Sequence, residues 1–170
     1  LIDTSLTYAR FEREAPEPHF SSVRFADWLS DEVDAVRLLG RDLKITVDTA
    51  KLPENLAVDV DRKAMPYALR NLLRNAFKYA SGQIIVSAEL REGNIVVHVD
   101  DDGIGIPPED RESVFSAFTR LDRSRDRATG GYGLGLAITR RVLELHGGTA
   151  TADTAPLGGA RFTLTWPLAQ

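Results

Sequence analysis

Two clusters of glycine, a run of three aspartates and a pair of asparagines one helical turn apart are the residues of this 170-residue chain best suited to chemistry. Six of the 13 glycines (Gly103, Gly105, Gly130, Gly131, Gly133 and Gly135) stand at the two ends of one long segment. A single glycine marks a turn, but six in this arrangement point to close approach of backbone to a ligand. The stretch Gly131-Tyr132-Gly133-Leu134-Gly135-Leu136 opens a helical pattern. Glycines let successive N–H groups converge, and a following helix adds its N-terminal donors and dipole, so this stretch suits an anion such as phosphate. It is close to G-x-G-x-x-G, but a dinucleotide fingerprint needs a preceding strand and an acid about 20 residues later. An arginine-rich segment precedes it instead. No G-x-x-x-x-G-K-[ST] occurs, which excludes a P-loop.

The run Val99-Asp100-Asp101-Asp102-Gly103-Ile104-Gly105-Ile106-Pro107 delivers three carboxylates from a β-rich stretch into a Gly-x-Gly turn. A carboxylate at a strand end accepts a hydrogen bond from an exocyclic amine such as that of adenine. A solvated acidic turn or a cation site would use the same residues. In the helical pattern after Asp61, Asn71, Asn75 and Lys78 fall within about 60° of one another at roughly 100° per residue. Met65, Leu69, Leu72, Leu73 and Ala76 fall on the other side. Asn is a mediocre helix former, so two mid-helix asparagines need a local reason. A carboxamide oxygen is a reasonable ligand for Mg²⁺, which takes one or two protein oxygens together with phosphates and water. Between the glycine clusters, Arg120, Arg123, Arg125 and Arg127 are interspersed with Asp122 and Asp126. Arginine forks match phosphate oxygens. Phe115 and Phe118 are apolar anchors for that segment.

The elements that must position these groups follow from the pattern. Leu1, Ile2, Leu6 and Ala9 have near-helical spacing, and Pro16 and Pro18 then break the chain. Phe25–Leu39 and the stretch from Asp61 to about Tyr79 read as helices, with Asp61 able to cap the second. Pro66 is awkward there unless the helix begins near Met65. Residues 43–47 and 57–60 read as strands, and 83–90 with 94–100 as a hairpin across Arg91-Glu92-Gly93. Residues 103–131 form a long loop, 133–146 a helix ended by Gly147-Gly148, and 149–154 and 160–166 two strands across a turn with Gly158 and Gly159. Mixed helices and strands, the strands in adjacent pairs, predict a two-layer α/β sandwich on a mixed sheet.

Composition excludes several classes. With no cysteine there is no disulfide scaffold, cysteine nucleophile or thiolate zinc site. A net charge of −4 predicts no general nucleic-acid binding. No apolar run approaches the roughly 18 residues of a membrane span. The chain starts at Leu1 and its one Met is Met65, which predicts a piece of a longer polypeptide.

In this order the pieces resemble the ATP-binding catalytic domain of sensor histidine kinases, a superfamily shared with DNA gyrase, heat-shock chaperone and mismatch-repair ATPases. Residues 71–79 resemble its N box, 101–105 its G1 box, 114–118 its F box and 131–136 its G2 box. The resemblance implies an α+β sandwich, a mostly antiparallel sheet on about three helices, with a mobile lid from about Ile106 to Gly130. It implies that Asn75 ligates Mg²⁺ and that Lys78 reaches the phosphates of ATP, with Asn71 beside them. Tyr79 would lie against the adenine and Asp101 accept from its amino group. Gly103, Gly105 and Ile106 would approach the base, and Gly131, Gly133, Leu134, Gly135 and Leu136 the phosphates. Arg120 and Arg125 sit where the family often places phosphate-contacting arginines.

Hydrolytic members of the superfamily carry a glutamate one turn before the metal-binding asparagine. That position is Asn71 here, which is no general base, so the resemblance implies transfer of the γ-phosphoryl group to a histidine. ATPase or clamp modules and protein serine kinases of the same superfamily are the alternatives. None of His19, His98 and His146 has the acceptor signature. The resemblance therefore places the acceptor on an absent dimerisation domain of the homodimer, and implies a response-regulator receiver domain as the next partner. Residues 1–13 would end the second dimerisation helix, 14–20 would link, and 21–170 would form the catalytic domain. The domain would be cytoplasmic, tied to an inner membrane only through segments upstream.

Overall fold

The computed structural model describes residues 17–40, 42–116 and 135–170. Strand β1 (Phe20–Arg24) leads directly into helix α1 (Phe25–Val36), which ends in a 3₁₀ turn over Arg37–Gly40. Strands β2 (Lys44–Asp48) and β3 (Ala57–Asp61) precede helix α2 (Ala64–Tyr79). The hairpin β4 (Gln83–Arg91) and β5 (Asn94–Asp101) follows, then two short 3₁₀ turns at Pro108–Asp110 and Ser113–Phe115. Helix α3 (Gly135–Leu145), β6 (Thr149–Thr154) and β7 (Ala160–Pro167) complete the described chain.

The main sheet has the order β2-β4-β5-β7-β6, with β2 parallel to β4 and every other pair antiparallel. This is the mixed, mostly antiparallel sheet expected, packed on three described helices. β1 and β3 form a separate antiparallel pair that the sequence pattern does not reveal for β1. Alternation sets the two faces of the main sheet. Ile95, Val97 and Val99 of β5 and Phe162, Leu164 and Trp166 of β7 are buried in the core that α1, α2 and α3 cover. Each such side chain contributes about 2 kcal/mol through burial. The opposite face is polar: one row across it reads Asp48, Ser87, His98, Thr163, Thr151. The two edge strands are each capped by an arginine. Arg37 Nη1 donates to the Ile45 carbonyl at 2.6 Å, and Arg140 Nη2 to the Ala150 carbonyl at 3.1 Å. Occupied edge carbonyls are poor templates for strand addition.

Helix α2 begins as its sequence requires. Asp61 Oδ1 accepts from the N–H groups of Lys63 at 2.9 Å and Ala64 at 3.0 Å. Starting at Ala64, the helix places Pro66 in its first turn, where an N–H would have no partner within the helix, so the proline causes no break. Helix α3 ends as expected at Gly147-Gly148: Gly147 N–H donates to Glu144 O at 3.0 Å and Gly148 N–H to Leu143 O at 2.8 Å. That is the paired closure of a Schellman motif.

Candidate functional site

The C-terminal half of α2, the end of β5 with its Gly-x-Gly turn, the first turn of α3 and the start of β7 meet around one pocket. Asn75, Tyr79, Asp101, Gly105, Ile106, Leu136, Ala160 and Phe162 line this pocket, which opens to solvent. Six of these eight belong to the residues singled out from the sequence. Ala160 and Phe162 do not, and they enter because β7 runs beside β5 with Phe162 opposite Val99.

The three aspartates separate by position. Asp100 points to the polar face of the sheet, where Arg161 donates to it through Nε at 2.8 Å and Nη2 at 2.9 Å. Asp102 accepts from the backbone N–H groups of Ser81, Gly82 and Gln83. These hydrogen bonds, that of Gly82 foremost, hold its carboxyl below the usual carboxylate range. Asp101 alone lines the pocket, and it is 1% exposed. Its Oδ1 accepts from Gly103 N–H at 2.9 Å and Ala160 N–H at 3.1 Å. Burial pushes this carboxyl up, while the two N–H groups oppose the rise.

The loop after Asp101 has no room for side chains. A Cβ on Gly103 would lie 2.0 Å from the Tyr79 carbonyl oxygen, and one on Gly159 would lie 2.2 Å from Asp101 Oδ1. Gly159 read as an ordinary turn residue in the sequence. Only the return of the β6–β7 turn onto Asp101 reveals its role, and no local signal in the Gly158-Gly159 pair could have shown it. Gly105 has φ +77°, a conformation that favours glycine.

On α2, Asn75, Lys78 and Tyr79 are half-buried, and Lys78 Nζ lies 5.5 Å from the Tyr79 ring centroid. Asn71 is not on an open face: it is 9% exposed, and its Nδ2 has no hydrogen-bond partner among the described residues. A Cβ on Gly135, the first residue of α3, would meet Asn71 Oδ1 at 3.7 Å. The amide therefore lies beside the helix start that the glycine pattern marks as an anion site. Thr139 Oγ1 fastens that helix start to α2 by donating to Ala68 O at 3.0 Å. A buried amide donor without a partner is costly unless something accepts from it.

The start of the long loop is pinned as Phe115 predicts. Phe115 is buried edge-on to Phe162, and Arg140 stacks over it at 4.2 Å while bonding Glu112. Residues 117–134, which include Phe118, Arg120, Arg125, Gly131, Gly133 and Leu134, lie outside the described residues, as do residues 1–16. Two of the histidines have internal partners. His98 Nδ1 is 2.9 Å from Thr163 Oγ1, and His146 is fully buried between Asp61 N–H and Val142 O.

A two-layer sandwich with a buried acid, a glycine turn and a half-buried asparagine helix face around one pocket defines a nucleotide-binding domain of a particular class. The family model for histidine kinase-, DNA gyrase B- and HSP90-like ATPases matches residues 60–170, and the chain belongs to that family as an ATP-binding catalytic domain of the sensor histidine kinase type. Sensor protein RstB of Escherichia coli K12 is 42% identical over 168 residues, covering 99% of this chain and 38% of RstB. Sensor-like histidine kinase SenX3 of Mycobacterium tuberculosis is 40% identical over 152 residues, covering 88% of this chain and 37% of SenX3. The chain thus spans well under half the length of these relatives. Among solved structures, full-length ShkA in complex with AMPPNP superposes with TM-score 0.82 at 26% identity, covering 98% of this chain and 35% of ShkA. The mycobacterial sensor histidine kinase MprB gives TM-score 0.72 at 26% identity, covering 88% of this chain and 97% of the MprB chain.

Proposed function

We propose that this domain binds Mg·ATP in the pocket described and donates the γ-phosphoryl group to a histidine on a dimerisation domain, from which an aspartate of a response-regulator receiver domain takes it. The observation that carries the reading is Asp101: a buried carboxylate at a pocket wall, its Oδ1 pinned by two backbone N–H groups, suits the amino group of adenine. Tyr79, Ile106 and Leu136 form apolar walls for the base, with Gly103 and Gly105 bringing backbone close to it. Asn71, Asn75, Lys78 and Gly135 serve the phosphate end. Arg120, Arg125, Gly131, Gly133 and Leu134 join that end through the family resemblance.

The donor chemistry fits Mg²⁺. Among the described residues no three His, Cys, Asp or Glu side chains converge as a metal cage. One carboxamide oxygen, that of Asn75, with phosphate oxygens and water completes a set that Mg²⁺ accepts. When bound, the ion would neutralise charge on the phosphates. The chain's own residues position ATP: Asn71 donates an N–H and supplies no base to activate water. A neutral imidazole needs no such base to attack the γ-phosphorus. As the new P–N bond forms, the bond to the β–γ bridging oxygen breaks and ADP leaves. Among the described residues no helix is long and apolar enough to cross a membrane. The domain would work on the cytoplasmic side, reaching the membrane through other segments of its sensor protein.

The test combines the chain, γ-labelled Mg·ATP and a separately purified dimerisation helix pair carrying an acceptor histidine. Label on the histidine, with slow phosphate release when the acceptor is omitted, supports the reading. Rapid steady-state phosphate release without transfer replaces it with an ATPase module.

A further inference from the structure

We propose that Asp102, which does not line the pocket, is a positioning residue that sets adenine selectivity by locking the two base-side walls together; this rests on the ATP reading above. The two walls come from different parts of the chain. Tyr79 is the last residue of α2, whereas Asp101, Gly105 and Ile106 belong to the end of β5 and its turn. Asp102 joins them. Its Oδ1 accepts from Ser81 N–H at 2.8 Å and Gly82 N–H at 3.0 Å, and its Oδ2 from Gln83 N–H at 3.2 Å. Those three donors are the consecutive backbone groups that carry the chain from α2 into β4.

The fit between the walls is tight. A Cβ on Gly103 would collide with the Tyr79 carbonyl at 2.0 Å, so the turn after Asp102 rests on the end of α2. A carboxylate is the side chain that accepts from three converging donors without offering a hydrogen of its own. Asparagine has the same shape but turns an NH₂ towards backbone N–H groups. At least one hydrogen bond is lost, and the strand end bearing Asp101 is released from Tyr79. The base-side geometry loosens while α3 and Asn71, at the phosphate end, keep their contacts.

This separates positioning from a general structural role. ATP offers an amino group to Asp101; GTP offers a carbonyl there and gains nothing from the wall's placement. Asp102→Asn in the 170-residue chain should therefore weaken ATP binding about tenfold and leave GTP binding within about twofold, so that the ATP:GTP preference falls. Asp100→Asn serves as the control, because it cuts a carboxylate of the same strand from Arg161 on the far face of the sheet and should leave the preference unchanged. Binding is read by calorimetric titration beside thermal melts. If Asp102→Asn melts below the assay temperature, Asp102→Glu, with its acceptors on a longer stem, is measured for the same selective loss. An unchanged ATP affinity, or an equal loss for ATP and GTP, overturns the proposal. Asp101→Asn keeps it distinct from the underlying reading. If Asp101→Asn weakens ATP and Asp102→Asn does not, only the positioning role fails; if neither matters, the site assignment itself fails.

Discussion

At one end of the main sheet the buried side-chain polar atoms of His146 and Trp166 are matched with partners; at the other, one buried amide has no partner among the described residues. Where β3 meets the C-terminal residues, His146 is enclosed, accepting from Asp61 N–H at 3.0 Å and donating to Val142 O at 2.8 Å. Trp166 Nε1 donates to Asp59 O, and Gln170 Nε2 to the His146 carbonyl at 2.6 Å. At the opposite ends of β5 and β7, Asp101 is buried and Asn71 Nδ2 lacks a partner among the described residues. The first end contributes stability, since its groups are satisfied within the chain. The second keeps hydrogen-bonding capacity in reserve, which a ligand can use. Both ends have a glycine that cannot carry a Cβ, so the two can be broken in parallel.

The largest contrast is expected from those glycines. A Cβ on Gly103 would lie 2.0 Å from Tyr79 O, and one on Gly148 would lie 2.0 Å from Thr165 O. Each alanine substitution should cost about 3 kcal/mol in urea unfolding, because backbone must move. Gly103→Ala should also abolish ATP binding in the titratable range, whereas folded Gly148→Ala should bind ATP as the parent does. Equal ATP affinities for the two variants would erase the distinction between the ends.

Next in size is a pH dependence. Burial, more than any other influence, holds His146 below the ordinary histidine range, and the same holds for His98. A base with a lowered folded pKa binds protons more readily when unfolded. Stability is therefore complete above about pH 6.5 and declines as pH falls from there towards the folded values, by up to about 1.4 kcal/mol per pH unit for each group. Asp61 is lowered and Asp101 and Glu32 are raised, so the histidine contribution is read from the difference between the parent and a histidine variant at each pH. Melts between pH 7.5 and 5.5 should show the decline, and His146→Gln should reduce its slope, leaving the part that belongs to His98. A slope untouched by that variant would remove His146 from the account.

The smallest effect is expected from Asp100→Asn. It weakens a two-hydrogen-bond pair whose arginine side chain is 29% and whose aspartate side chain is 6% exposed; asparagine keeps one acceptor for Arg161, so the change should cost about 1 kcal/mol with no change in ATP affinity. A tenfold change in affinity would mean that the polar face of the sheet is coupled to the pocket.

Much of this was legible in the residues. The hairpin across Glu92-Gly93, the helix ended by Gly147-Gly148 and the alternating strands of β6 and β7 depend on local chemistry, and the pattern carried them. Asn71, Asn75 and Asp101 stood out because their residue types are unusual in those places. What was hidden depends on contacts distant in sequence. β1 reads Phe-Ser-Ser-Val-Arg after a proline break and becomes a strand only by pairing with β3. The division of labour among Asp100, Asp101 and Asp102 is decided by what faces each one: Arg161, the pocket and the α2–β4 turn. Gly159 and Ala160 join the site only when the β6–β7 turn folds back onto Asp101.

The central claim is that Asp101 reads an adenine amino group, and titrating Mg·ATP into the parent chain and into Asp101→Asn tests it most directly. The account predicts a loss of at least about tenfold in affinity with an unchanged melting temperature in the absence of nucleotide. Equal affinities in two folded proteins would contradict it.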